Sequence, residues 1–196
     1  MFDYMQKLRY RWNYKKWSSK GKPEPVPHFV KQMVVLEYAA KSGIDIFIET
    51  GTYLGDMLKA VKRRFDMIYS IELSEEYFNR ARRKFQRHRH IEIFQGDSTD
   101  VLPMLVSKIE RPALFWLDAH YSSGKTARGK KDTPIIEELK TIFDSKISGH
   151  VILIDDARCF TGENDYPEIE DLKAFTVEKY PKSSFELQDD IIRIST

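Results

Sequence analysis

The chain has 196 residues and a mass of 23.1 kDa, enough for one domain with a real core and too little to hold a second comfortably. With 41% hydrophobic and 32% charged residues it is neither disordered nor membrane-spanning, since no apolar run approaches the roughly 18 residues of a transmembrane helix. A net charge of +2 gives no general pull toward nucleic acid. The single cysteine, Cys159, excludes an internal disulfide and suits a reducing compartment. The opening MFDYMQKLRYRWNYKKW has neither the apolar core nor the cleavage site of a secretory signal, so the expected location is the cytoplasm.

In chain order, the first feature is a basic and aromatic segment. Lys7, Arg9, Arg11, Lys15, Lys16, Lys20 and Lys22 are interleaved with Tyr10, Trp12, Tyr14 and Trp17. Such a segment either touches a membrane surface or an anionic polymer, or forms a solvated helix whose aromatics pack on the domain or on a second subunit. Three prolines in Gly21–Pro27 forbid a helix interior and mark a linker. Residues 1–27 are accordingly read as an extension and 28–196 as the domain.

Within the domain, His28 to Lys41 has apolar residues at helical spacing and stops at Ser42-Gly43. The apolar run 46–48 is a strand, Gly51 to Gly55 a turn, and Asp56 to Arg64 an amphipathic helix. The same alternation repeats. Strand 67–73 is followed by a helix capped by Ser74 and running to about Arg87. Strand 91–97 precedes a short helix from Val101 to Lys108, and strand 113–120 precedes a helix from Thr133 to Phe143. Strand 150–157 leads to a helix from Glu168 to Tyr180, and the chain ends in SFELQ and IIRIS around Asp189-Asp190, a pattern for an antiparallel hairpin at the sheet edge. Alternating strands and helices imply parallel crossovers and a sheet covered on both faces.

In an open α/β sheet, ligands bind beyond the carboxyl ends of the strands. Every parallel strand here ends in a carboxylate: Glu49, Glu72, Asp97, Asp118, and the pair Asp155-Asp156. Helix capping accounts for one or two of these rather than all five positions. The stretch Glu49-Thr-Gly-Thr-Tyr-Leu-Gly55 is neither the dinucleotide fingerprint nor a P-loop. Gly51 permits close approach of a ligand to the backbone, and Glu49 either pairs with a cationic group or anchors the loop's amides. Glu72 is placed to accept both hydroxyls of a ribose, and Asp97, beside Ser98, to accept an exocyclic amine.

The order of elements, the E-x-G-x-x-x-G loop, Glu72 and Gly96-Asp97 together resemble a class I S-adenosylmethionine-dependent methyltransferase over about residues 30–196. The resemblance implies a Rossmann-like, seven-stranded, mostly parallel sheet with a C-terminal antiparallel hairpin and helices on both faces. It implies S-adenosylmethionine as cofactor, held by Glu49, Gly51, Thr52, Tyr53, Gly55, Glu72, Asp97, Ser98 and Asp118. Asp118 with Asp155 and Asp156 is similar to the magnesium site of metal-dependent sugar O-methyltransferases, and three hard oxygen ligands suit Mg²⁺. N-capping by the Asp155-Asp156 pair is the plainer alternative. His120 is a candidate base beside Asp118, because imidazole titrates near working pH. The loop Tyr121 to Asp132, rich in Gly, Ser, Lys and Arg, reads as a lid or as a solvated loop; Lys125, Arg128 and Arg158 are candidates for holding an anionic acceptor. Trp116 and Cys159 read as packing.

The expected activity is O-methylation of a small-molecule or glycan hydroxyl, with magnesium a candidate cofactor. Two alternatives stay open: a methyltransferase of the same fold acting on nucleic acid or protein, and a non-catalytic nucleoside-binding module. The expected partners are a small-molecule or carbohydrate acceptor and no nucleic acid. Peripheral membrane contact and a homodimer through the N-terminal segment are further candidates.

Overall fold

The computed structural model describes residues 4–118 and 133–196. Its elements are α1 (Tyr4–Ser18), α2 (His28–Ser42), β1 (Ile46–Thr50), α3 (Asp56–Val61), β2 (Met67–Glu72), α4 (Glu75–Phe85) and β3 (Ile91–Gln95). There follow α5 (Ser98–Lys108), β4 (Ala113–Leu117), α6 (Ile135–Phe143), β5 (Val151–Ile154), a 3₁₀ turn at Ala157–Cys159, α7 (Ile169–Lys179), β6 (Ser184–Gln188) and β7 (Ile191–Ser195). The strands form one seven-stranded sheet in the order β3-β2-β1-β4-β5-β7-β6. The first five are parallel, β7 runs antiparallel to β5, and β6 antiparallel to β7. This is the Rossmann-like sheet with a C-terminal hairpin that the alternation implies; β6 is the edge strand and β7 is inserted beside β5.

Side chains alternate across the sheet as the strand period of two requires. Ile48, Phe115, Ile152 and Ile194 point to one face with Leu102, Leu105, Leu139 and Leu172 from α5, α6 and α7. Phe47, Leu114, Trp116 and Leu153 point to the other, with Val34, Val35, Leu58, Val61 and Phe85 from α2, α3 and α4. β1, β4 and β5 are buried along their whole length, which is why they read as unbroken apolar runs.

The strands are shorter than the sequence suggests. β3, β4 and β5 stop at Gln95, Leu117 and Ile154, so Asp97, Asp118 and Asp155 lie just past the ladder. Pairing ends at Leu117↔Ile154, and the freed backbone turns away to present the carboxylates. Two helices also differ. α5 begins at Ser98 because Asp97 accepts from the Thr99 amide as its N-cap, and α3 ends at Val61 in a turn. Ser74 caps α4 as expected, and Gly43 closes α2 at φ 71 with its N–H on Ala39 O.

The N-terminal segment is a helix docked on the domain. Tyr10 and Trp17 are buried; Tyr10 donates to Gln32 Oε1 at 3.0 Å, Tyr14 to Asp189 Oδ2 at 3.0 Å, and Trp17 Nε1 to Pro23 O at 3.0 Å. Trp17 also packs with Val26 and Val30, so the proline-rich piece lies against the fold. Leu8 and Trp12 remain exposed. Among the described residues no helix is long and apolar enough to cross a membrane. The β6–β7 turn holds Asp189 and Asp190 at φ 54 and 58, the two left-handed residues that a tight hairpin of matching twist needs.

Candidate active site

The turn after β1 carries three residues with positive φ: Gly51 at 87, Tyr53 at 46 and Gly55 at 68. Gly51 N–H donates to Ile71 O at 2.9 Å and Gly55 N–H to Thr52 O at 2.8 Å, so the turn is pinned to β2 and closed on itself. Thr52 Oγ1 lies 2.5 Å from Ser70 Oγ, and Ser70 donates to Glu49 Oε1 at 2.6 Å. Glu49 is 1% exposed. Burial pushes its carboxyl up to about 8, against the opposing Ser70 hydrogen bond. It therefore acts as an anchor, reaching the loop through Ser70 and Thr52 and not through amides directly.

Glu72 sits beneath the same loop. Its Oε2 accepts from Tyr53 N–H at 2.7 Å and its Oε1 from Ser74 N–H at 2.9 Å. Burial raises its pKa, and those amides pull the other way. Each oxygen keeps a second acceptor position, which is what a vicinal diol requires. The Tyr53 ring stands edge-on to Tyr77 at 4.7 Å. At the next strand end, Asp97 Oδ1 takes both the amide and the hydroxyl of Thr99. Ser98 is buried close to Glu138, whose carboxyl burial pushes up to about 7 against the opposing effect of Ser98 and Thr50.

An open hollow lies at the carboxyl ends of β1 and β4. Its walls are Gly51, Thr52, Tyr53 and Leu54 of the turn, Asp56 and Met57 of α3, His28 of α2, and Trp116 and Asp118 of β4 and its end. Trp116 is core as expected, at 2% exposure, and its edge also closes this hollow.

Beside the hollow, Asp118 is tied to β1 by its N–H on Thr50 O, and Asp155 to β4 by its N–H on Leu117 O. Asp118, Asp155 and Asp156 bring one carboxylate oxygen each to within 4.8 Å of one another. Asp156, at φ 53, precedes the 3₁₀ turn without capping it by its side chain, so the capping alternative does not account for the pair. Two cations engage it. Lys31 of α2 places Nζ 2.5 Å from Asp155 Oδ2 and 3.3 Å from Asp156 Oδ1. Arg158 Nη1 lies 2.8 Å from Asp156 Oδ1 and also bonds Asp190 Oδ2.

Burial and the neighbouring Asp118 carboxylate push Asp155 up. Burial works against the Lys31 charge and is outweighed by Asp155 and Asp156, so the ammonium is held protonated. Arg158 thus bridges Asp156 and Asp190. The donor set is the hard-oxygen kind that Mg²⁺ takes, yet the Lys31 ammonium already holds an oxygen of Asp155 and one of Asp156, so an ion about 2.0–2.1 Å from those oxygens would compete with it. The residues present do not fit a resident divalent ion.

The structure thus brings Gly51, Thr52, Tyr53 and Asp118 to one hollow, sets Glu72 and Gly55 against its loop, and leaves Asp97 at the end of β3. His120, Lys125 and Arg128 lie outside the described residues. Sequence reasoning missed Lys31, His28 and Asp190. For Lys31 a signal existed: it stands three, four and seven residues before Val34, Val35 and Tyr38, so a charge sits on the buried stripe of a helix.

No family model matches the chain, and no curated protein matches it by sequence. Solved structures do. The O-methyltransferase TomG from Streptomyces achromogenes, in complex with S-adenosylmethionine, superposes with a TM-score of 0.64 at 14% identity, covering 91% of this chain and 84% of TomG. An O-methyltransferase from Bacillus cereus in complex with S-adenosylhomocysteine gives 0.62 at 15%, covering 95% and 89%. An S-adenosylhomocysteine-bound methyltransferase from Podospora anserina gives 0.60 at 16%, covering 96% and 86%. The chain has the fold of the class I S-adenosylmethionine-dependent methyltransferases.

Proposed function

We propose that the protein is an S-adenosylmethionine-dependent methyltransferase acting on a hydroxyl of a small molecule or glycan. The observation that carries this reading is the hollow at the ends of β1 and β4, bounded by the Gly51 turn, with the Glu72 carboxylate fixed under the same turn. The fit to a nucleoside cofactor rests on chemistry present in the chain: a turn where Gly51 carries no side chain, a buried carboxylate with two acceptor positions left, and Asp118 on the wall. Support for oxygen as the acceptor atom comes from the O-methyltransferases of similar fold.

S-adenosylmethionine would supply a methyl group on a sulfonium for transfer to an acceptor oxygen, with S-adenosylhomocysteine leaving. Glu72 would accept the ribose hydroxyls, Asp97 would lie at the adenine end, and Asp118 would hold the cationic amino-acid end. Trp116 and Met57 keep water from the floor of the hollow. His120 is assigned the proton released by the acceptor hydroxyl, and Lys125 and Arg128 an anionic acceptor. Exposed Leu8 and Trp12 on the basic α1 support peripheral contact with an anionic membrane surface.

Calorimetric titration with S-adenosylhomocysteine, in the presence of chelator, tests the reading. Micromolar binding that is lost in Glu72→Ala is expected, followed by methyl transfer to a panel of sugars and nucleotide sugars. Absence of binding overturns it.

A further inference from the structure

We infer that Lys31 is the resident cation of the Asp118, Asp155, Asp156 cluster, occupying the position of a divalent ion so that the site works without metal. Three observations meet here. The lysine is 8% exposed and comes from a helix whose adjoining Val30, Val34 and Val35 are all buried. Its Nζ touches oxygens of two of the three aspartates. The third cationic contact, Arg158, is itself anchored to Asp190 in the β6–β7 turn by both its backbone amide and its guanidinium.

Lys31 and Arg158 together engage Asp155, Asp156 and Asp190, and the Asp118 charge acts on Lys31 as well. A divalent ion would have to displace an ammonium that is already hydrogen-bonded to Asp155 and Asp156. The covalently attached cation performs the electrostatic part of a metal's role: it holds Asp155 and Asp156 in place beside Asp118 and offsets their charge next to the hollow. It offers no open coordination position, so the acceptor hydroxyl is not metal-bound here. Lys31 is on this account a positioning residue. The inference concerns ion binding alone and stands or falls apart from the methyltransferase reading.

The test is Mn²⁺ titration of the full chain, followed by electron paramagnetic resonance, for the wild type, Lys31→Met, Lys31→Arg, Lys31→Met with Asp155→Asn, and Asp155→Asn. The wild type is expected to show no saturable site below about 1 mM, the weak end of protein sites for hard cations. Removing the ammonium takes a competing cation off Asp155 and Asp156, so Lys31→Met should bind one Mn²⁺ at least about tenfold more tightly. The added Asp155→Asn should abolish that site. Lys31→Arg, which keeps a cation, should remain like the wild type. Saturable micromolar binding by the wild type, lost in Asp155→Asn, overturns the inference even if Lys31→Met fails to fold. A folded Lys31→Met that gains no site overturns it too.

Discussion

Glu49 makes the stability of this fold pH-dependent in a direction opposite to the usual carboxylate. Its carboxyl moves from 4.5 in a free chain to about 8 in the folded protein, so between these values the folded state carries a proton that the unfolded state has released. Stability contributed by that proton is complete below pH 4.5 and is lost as pH rises toward 8, at about 1.4 kcal/mol per pH unit. Glu49→Gln removes the titration while keeping shape and the acceptor for Ser70. Between pH 5 and pH 8 the wild type should lose about 3–4 kcal/mol relative to Glu49→Gln. Other buried groups such as Glu138 titrate in both proteins and cancel in the difference. Urea unfolding of the two proteins at pH 5, 6, 7 and 8 measures it. A difference that stays flat over this range would falsify the buried, protonated state and with it the relay from Glu49 through Ser70 to Thr52.

Gly51→Val puts a β-branched side chain at φ 87 in the wall of the hollow; affinity for S-adenosylhomocysteine should fall by about 100-fold or more, and unchanged affinity by calorimetry would remove the cofactor from this turn. Gly55→Ala adds a Cβ 2.7 Å from Phe85 Cε2 at φ 68, so denaturant unfolding should register a loss of about 1–3 kcal/mol. Asp97→Ala removes the α5 cap and should cost about 1 kcal/mol, whereas Asp97→Asn keeps it; equal losses in thermal melts would argue against capping. Tyr14→Phe deletes the bond to Asp189, costing about 1 kcal/mol and raising amide exchange in α1 ahead of β5.

How far the sequence reached follows from the range of the forces involved. Ser74 caps α4, Gly43 ends α2 and Asp189-Asp190 turns the hairpin because each depends on neighbours a few residues away, and those neighbours are adjacent in the chain. The unbroken apolar runs at 46–48 and 113–117 announced strands buried on both faces, and with them a covered parallel sheet. Glu72 under the Gly51 turn was legible for the same reason: strand ends in such a sheet share one edge. Strand limits were overrun at Asp97, Asp118 and Asp155, because a strand stops where its partner stops, and the partner is elsewhere in the chain.

By itself the sequence determined the alternation of strands and helices, the hairpin and the row of carboxylates at the strand ends, all consequences of backbone periodicity and local capping. Which of those carboxylates face a hollow and which are sealed was decided by packing. Ser98 is buried, Glu49 lies beneath the turn, and Lys31 reaches Asp155 across 124 residues of chain. A pattern of residue types cannot encode that last contact, because it exists only once α2 lies across the sheet. Burial then makes an ammonium and a carboxylate settle together, since neither is tolerated there alone.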